Sequence, residues 1–284
     1  MGPAPLPEGY EASVEEWKKY RVGVLTDSTG WLRLVDLIWL DEGVNTFGSG
    51  ESVDIRFPEG TISDFAGRFI LADSTVRMEV DESAEITWKG DSVSNLTLIE
   101  GDHGDERIEV QHDPLIWFID KRDDDQYGVR LFSLDTPKAD AFEGFPAYPL
   151  DPAWHMRARF IPYPEGSTIR VVNVLGNEID RPTPGRLEFT IDGNLYTLDA
   201  FEGSSGLFLM MADETNRTET YQAGRYLMVD PPDEDGYTVI DFNRAYNMPC
   251  SFNRFTTCQL PPPQNRLDVA ITAGEQRPVD WDGI

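Results

Sequence analysis

The chain has 284 residues and carries 51 acidic against 24 basic side chains, a net charge of −27. Its 40% hydrophobic and 11% aromatic content is too high for a disordered acidic polymer, so it reads as a folded protein with an acidic skin. Such a surface lacks the clustered Lys and Arg that nucleic acid or anionic lipid would require, and neither is an expected partner.

Only five of the basic residues are Lys (Lys18, Lys19, Lys89, Lys121 and Lys138), and the acids are spread along the whole length. Self-repulsion on this scale is a lever that halophiles use, and it points to a salt-rich cytoplasm. The N-terminus, Met1-Gly2-Pro3-Ala4-Pro5-Leu6, has neither the basic nor the apolar region of a signal peptide. No run of about 18 apolar residues exists to span a membrane. A soluble, cytoplasmic protein is the expectation.

Residues 1–12 read as a Pro-rich lead. Ser13-Val14-Glu15-Glu16 has the pattern of a capping box. A short helix over 14–24 should follow, with Val14, Trp17, Val22 and Val24 as apolar contacts, the only substantial helix expected. From Gly30 the pattern turns to β. Strands are expected over 31–35 and 37–40, split by Asp36, then 44–48, 52–57, 69–71, 76–80, 86–88, 96–99, 107–110, 116–120 and 128–132. Turn residues punctuate them at short, even spacing, which favours an antiparallel sandwich or barrel over βαβ units.

Residues 134–153 are rich in Pro and aromatics and lack periodicity. They divide the chain into an N-terminal helix plus β half (1–133) and a C-terminal β half (134–284), or else form a long loop in one continuous domain. Strands resume over 155–162, 167–174, 186–191 and 195–201, with Asp192-Gly193 as a hairpin turn. Gly206–Ala212 is almost wholly apolar, as a strand buried on both faces would be. Strands over 226–229, 237–242 and 267–271 complete an all-β reading with one short N-terminal helix.

The candidate chemistry lies near the C-terminus. The apolar strand ends in Asp213, and the turn behind it carries Glu219, Tyr221 and Arg225. The next strand brings Asp241 and Asn243 to one face and Arg244 to the other, by simple alternation. Tyr246 and Asn247 follow. These nine residues admit two readings. In one they form a pocket where carboxylates and guanidinium groups grip or act on a small polar molecule. In the other they are a buried network that ties an irregular loop to the sheet, in a non-enzymatic structural or interaction module.

Cys250 and Cys258 are separated by seven residues, too far apart for a zinc Cys pair, and His103, His112 and His155 lie elsewhere in the sequence. Buried structural thiols rank first, a disulfide second and a metal site third; no metal and no cofactor are expected. Nucleophile elbows, phosphate loops and dinucleotide fingerprints do not occur.

A resemblance joins these residues. Asp213-x-Thr215, Glu219-Thr220-Tyr221-x-x-Gly224-Arg225, Asp241-Phe242-Asn243-Arg244-Ala245-Tyr246-Asn247, Pro249-Cys250, Cys258, Pro261-Pro262, Asn265-Arg266-Leu267 and Gly274-Glu275 resemble the signature of a bacterial and archaeal family, domain of unknown function 1684. Gly30-Trp31-Leu32 and Leu37-x-Trp39-Leu40-x-x-Gly43 look like its N-terminal motif. Met248 and Gln259 stand where the family usually has Pro. The resemblance implies a real domain from about Trp17 to Glu275, and no activity.

Overall fold

A computed structural model describes residues 2–100, 107–122 and 126–278; His103 lies outside them. The chain divides into two compact units. One holds the N-terminal residues to Gly23 together with Glu143 onward, and the other is Val24–Phe142.

Helix α1 (Tyr10–Thr26) starts earlier than the capping pattern predicts. Ser13 already lies inside it: its amide donates to Gly9 O, and its hydroxyl donates to the Tyr10 carbonyl at 2.7 Å. The turn at Pro7-Glu8-Gly9 sets the start, with Tyr10 N bonded to Pro7 O and Gly9 at φ 71°. The buried positions are Tyr10, Val14, Arg21 and Leu25, spaced as one helical stripe. A charged residue therefore occupies the apolar face.

The unit Val24–Phe142 contains β1 (Leu34–Trp39), β2 (Gly43–Gly48), β3 (Ile55–Arg56), β4 (Gly67–Ala72), β5 (Thr75–Val80), β6 (Thr87–Trp88), β7 (Asp91–Ser92), β8 (Asn95–Glu100), β9 (Val110–His112), β10 (Leu115–Lys121), β11 (Tyr127–Ser133) and the single turn of α2 (Pro137–Asp140). A six-stranded sheet in the order β1-β11-β10-β9-β6-β7 and a five-stranded one in the order β3-β2-β4-β5-β8 share one core. Phe47 and Phe69 from one sheet stack at 4.4 Å, and Trp117 from the other meets Phe57 edge-on at 5.2 Å. The two strands expected around Asp36 are one strand with a bulge, where Asp36 Oδ1 accepts the Leu37 amide at 2.8 Å.

The other unit carries β12 (His155–Pro162), β13 (Thr168–Val172), β14 (Glu178–Pro182), β15 (Gly185–Ile191), β16 (Asn194–Glu202), β17 (Leu207–Met211), β18 (Arg225–Val229), β19 (Tyr237–Asp241) and β20 (Tyr246–Asn247). Seven strands form one sheet in the order β19-β12-β15-β16-β17-β18-β20, while β13 and β14 pair as a separate hairpin. Asp192 (φ 50°) and Gly193 (φ 84°) make the tight turn between β15 and β16. The apolar character of β17 has a direct cause. Leu209 and Met211 enter a core with Phe189, Leu227 and Ile240, whereas Met210 enters a second core with Val171, Tyr226 and the two cysteines. Both faces are covered. The fold is thus mainly β, with one main helix near the N-terminus.

Two expected strand features fail. The 267–271 segment forms no strand, and Ala212–Arg266 is an isolated bridge beside it. Nor does alternation continue past Asp241. That residue caps a 3-10 turn over Phe242–Arg244, its carboxylate accepting the Asn243 amide at 3.2 Å.

Candidate functional site

The C-terminal segment crosses the end of β18, and Arg225 holds it there. The Arg225 guanidinium takes three of its carbonyls. Nη2 donates to Ile271 O at 2.9 Å, and Nη1 to Ala273 O and to Glu275 O at 3.4 Å. Nη2 also meets Asp213 Oδ2 at 2.7 Å, with both side chains wholly buried. The other oxygen of Asp213 accepts the Thr215 amide at 2.8 Å, the Thr215 hydroxyl at 2.6 Å and the Ile271 amide at 3.3 Å. Its carboxylate is saturated by partners within the protein.

A second buried carboxylate lies beside the first. Glu275 is fully buried. Its Oε1 accepts from Arg21 Nε at 3.0 Å and its Oε2 from the Asn247 amide at 2.8 Å. Burial pushes this carboxyl above the ordinary range, and the Arg21 charge pulls it back. The Asn247 side chain donates to Gln276 O at 2.8 Å. Gly274 between these contacts sits at φ 77°, where a Cβ would come within 2.4 Å of Ala245 O; only glycine fits there. Among the described residues of this network, Arg225 Nε and Asn247 Oδ1 are the buried atoms without a hydrogen bond.

Asp241, Asn243 and Arg244 form a third group, on α1. Tyr10 donates to Asp241 Oδ1 at 2.7 Å. The Asn243 amide nitrogen donates to the Tyr10 hydroxyl at 3.0 Å and to Asp151 O at 2.9 Å, and its oxygen accepts the Asp151 amide at 3.1 Å. Arg244 pairs with Asp241 Oδ2 at 3.2 Å and donates to Ser13 Oγ at 2.7 Å. Burial, then the Asp241 carboxylate, hold the Tyr10 phenol well above the usual tyrosine range.

The nine candidates therefore fall into separate roles. Asp213, Arg225 and Asn247 share one buried network, with Asn243 buried in the neighbouring one. Asp241 and Arg244 are half-buried. Glu219 is exposed and accepts from the Tyr148 hydroxyl at 2.9 Å; burial, and then this carboxylate, push that phenol up to about 12. Tyr221 belongs to the cysteine-side core. Tyr246 lies between the Trp17 ring at 6.4 Å and the Tyr226 ring at 6.0 Å, with the Arg21 guanidinium 4.4 Å from its centre. A crevice over this region, between Trp17 of α1 and the strap Phe145–Leu150, does not admit a water molecule.

The sequence pointed to no role for Tyr10 or Arg21, and it placed Asn265 and Glu275 in the family signature without counting them among the candidate residues. Asn265, fully buried, bonds Asp199 N at 2.7 Å and the carbonyls of Asp199 and Met210 at 2.9 Å, fastening β16 to β17. The one available signal for Arg21 was its place in the apolar stripe of α1. Among the described residues no three His, Cys, Asp or Glu side chains are grouped to hold a metal ion, and no helix is long and apolar enough to cross a membrane.

Residues 140–276 match the family described as protein of unknown function DUF1684. No curated protein matches the chain. Among solved structures, an uncharacterized protein of Haloarcula marismortui, determined in solution by NMR, is 28% identical with a TM-score of 0.42, over 51% of this chain and 82% of its own. A chain from a study of phosphothreonine-dependent FHA domain interactions is 14% identical with a TM-score of 0.23, over 34% of this chain and 92% of its own.

Proposed function

We propose that this chain, a member of the DUF1684 family over residues 140–276, is a structural or interaction module without enzymatic activity, in which the C-terminal motif is a stabilising network. The observation that carries the reading is the wholly buried Asp213–Arg225 pair. Each oxygen of that carboxylate is bonded within the protein, and the guanidinium is committed to the backbone of 271–275. A ligand could engage these groups only by displacing the segment they hold. The network clamps α1 through Arg21 and the C-terminal segment through Arg225 onto the edge of the sheet.

A second reading, a site for a small polar molecule, rests on the residues outside that clamp. Glu219 is exposed, and Asp241 and Arg244 keep part of their surface in solvent. One experiment separates the two. Wild type, Glu219→Gln and Asp241→Asn are screened against sugars, amino acids, nucleosides and organic acids by thermal shift in molar KCl. The structural reading expects no saturable shift that depends on these carboxylates. A saturable shift present in wild type and absent from both variants would overturn it in favour of the ligand site.

A further inference from the structure

The loop from Cys250 to Cys258 places its two sulfurs against each other. The Cys250 amide donates to Cys258 Sγ at 3.1 Å, and the Cys258 amide donates to Cys250 Sγ at 3.3 Å. Thr256 stands between the sulfurs: its hydroxyl donates to Cys250 Sγ at 2.9 Å and accepts from the Cys258 thiol at 3.8 Å. Each sulfur accepts one backbone amide; Cys250 Sγ alone also accepts the Thr256 hydroxyl, while the Cys258 thiol donates to that hydroxyl. Each sulfur lies against the other residue's backbone amide, so the two side chains face the same small space.

We propose that Cys250 and Cys258 are a hydroperoxide-reactive dithiol, with Cys250 as the attacking thiolate and Cys258 as the resolving thiol. In the first step Cys250 Sγ attacks a peroxide oxygen. An S–O bond forms, the O–O bond breaks, and hydroxide leaves and takes up the proton that Cys250 gave on ionising. In the second step the Cys258 sulfur attacks Cys250 Sγ. An S–S bond forms, the S–O bond breaks, and the departing hydroxide takes the Cys258 proton. Two thiols and one hydroperoxide, here hydrogen peroxide, become one disulfide and two waters; the sulfurs are oxidised and the peroxide oxygens reduced.

The electrostatics agree with the division of roles. Hydrogen bonding, first from Cys258 and then from Thr256, brings the Cys250 thiol down to about 7, while burial and the neighbouring Cys250 charge raise Cys258. Cys250 is fully buried and Cys258 is 7% exposed, so a bulky disulfide has no access to Cys250. The product would staple a loop that already reaches the β13–β14 hairpin, since Val174 N bonds Cys258 O at 2.9 Å and Leu260 N bonds Val172 O at 2.8 Å.

The test uses the reduced full chain with one equivalent of hydrogen peroxide. Trypsin cuts after Arg244, Arg254 and Arg266, so the two cysteines fall in different peptides. Unreduced digests should contain 245–254 linked to 255–266, and dithiothreitol should part them. Glutathione disulfide at the same concentration should react at least tenfold more slowly. In Cys258→Ser, a sulfenic-acid trap such as dimedone should label Cys250. Thr256→Val keeps the shape of the loop and removes the bridging hydroxyl. If it raises the Cys250 pKa by about one unit, the thiolate fraction at pH 7 falls, and oxidation slows, about fivefold. Both thiols surviving an excess of peroxide that oxidises free glutathione in the same tube would overturn the proposal. So would an unchanged rate in Thr256→Val, or stoichiometric copper or zinc on the pair in purified protein.

Discussion

Removing the charge of Asp213 without changing its shape is the sharpest test of the buried network. In Asp213→Asn the Arg225 guanidinium stays wholly buried, still bonded to carbonyls but without a counter-charge. Breaking a buried pair from one side costs about 3–5 kcal/mol, because the surviving ion is neither solvated nor neutralised. The amide aggravates this: its NH2 must face either Arg225 or the Thr215 and Ile271 donors, and all of these are donors themselves. We expect a loss of about 4 kcal/mol. The geometry also says that a matched apolar pair will not rescue it. In an Asp213→Leu, Arg225→Met double variant the Thr215 and Ile271 amides and the Ile271 and Ala273 carbonyls all lose partners. Each such buried orphan costs about 1–3 kcal/mol. Guanidinium unfolding read by circular dichroism gives the free energies, and hydrogen exchange in peptides of 207–229 assigns the loss to this unit. The exposed Glu219→Gln is the control and should stay within about 0.5 kcal/mol of wild type. A loss below about 1 kcal/mol in Asp213→Asn, or a double variant as stable as wild type, would refute the reasoning.

Replacing Arg21 by Met should strand Glu275 as a lone buried carboxyl and cost about 3 kcal/mol near neutral pH. Its pKa then rises further, and a raised carboxyl gives stability that is present below the ordinary carboxylate value and lost as pH climbs; mild acid should therefore recover part of the loss, and a variant whose deficit is the same at every pH would contradict this. In reduced wild type, Cys250 (lowered to about 7) gives stability that is present above the ordinary thiol value and lost as pH falls through 7. The raised Cys258 works in the opposite sense at still higher pH, so stability should climb from pH 7 to about 9 and then decline, and the climb should vanish in Cys250→Ser. With 51 acids against 24 bases, melting temperature should rise markedly between low and molar KCl, where the Debye length falls to about 3 Å; a flat response would remove the halophilic reading.

Local rules made most of the fold legible. Val, Ile, Leu and aromatic runs broken by turn residues located β4, β5, β10, β11, β12, β15 and β16 to within about two residues, and Asp192-Gly193 carried its hairpin because both positions need positive φ. Where the reading failed, the deciding contacts lay outside the local pattern. Ser13-x-x-Glu16 fits a capping box, yet the turn at Gly9 starts the helix and absorbs the box into its first coil. The stretch 267–271 has strand composition, but it makes only scattered backbone bonds, Leu267 N to Ala212 O and Glu214 N to Val269 O, while Arg225 and Asp213 take the Ile271 carbonyl and amide. β14 was missed because Glu178-Ile179-Asp180-Arg181-Pro182 is mostly polar. It pairs with β13 through ladder bonds and the surface pair Arg170–Asp180 at 2.9 Å, and only Ile179, opposite Val171, joins an apolar core.

The candidate site was half legible for a related reason. A single sequence shows which polar residues sit where apolar ones belong, and Asp213 at the end of a buried strand is such a residue. It does not show what they meet, because the partner's distance along the chain is unconstrained. Asp213 finds Arg225 twelve residues on, within reach of a local reading; Glu275 finds Arg21 across 254 residues. Both acids are wholly buried, and neither is spared desolvation by solvent. What keeps each ionic group tolerable is a backbone amide or carbonyl held at a fixed place, and those places exist only after the sheet, α1 and the C-terminal segment have met. The network is therefore a consequence of the assembled fold as well as a clamp upon it. That dependence is why exposed Glu219, which looks equivalent in sequence, carries none of the same weight.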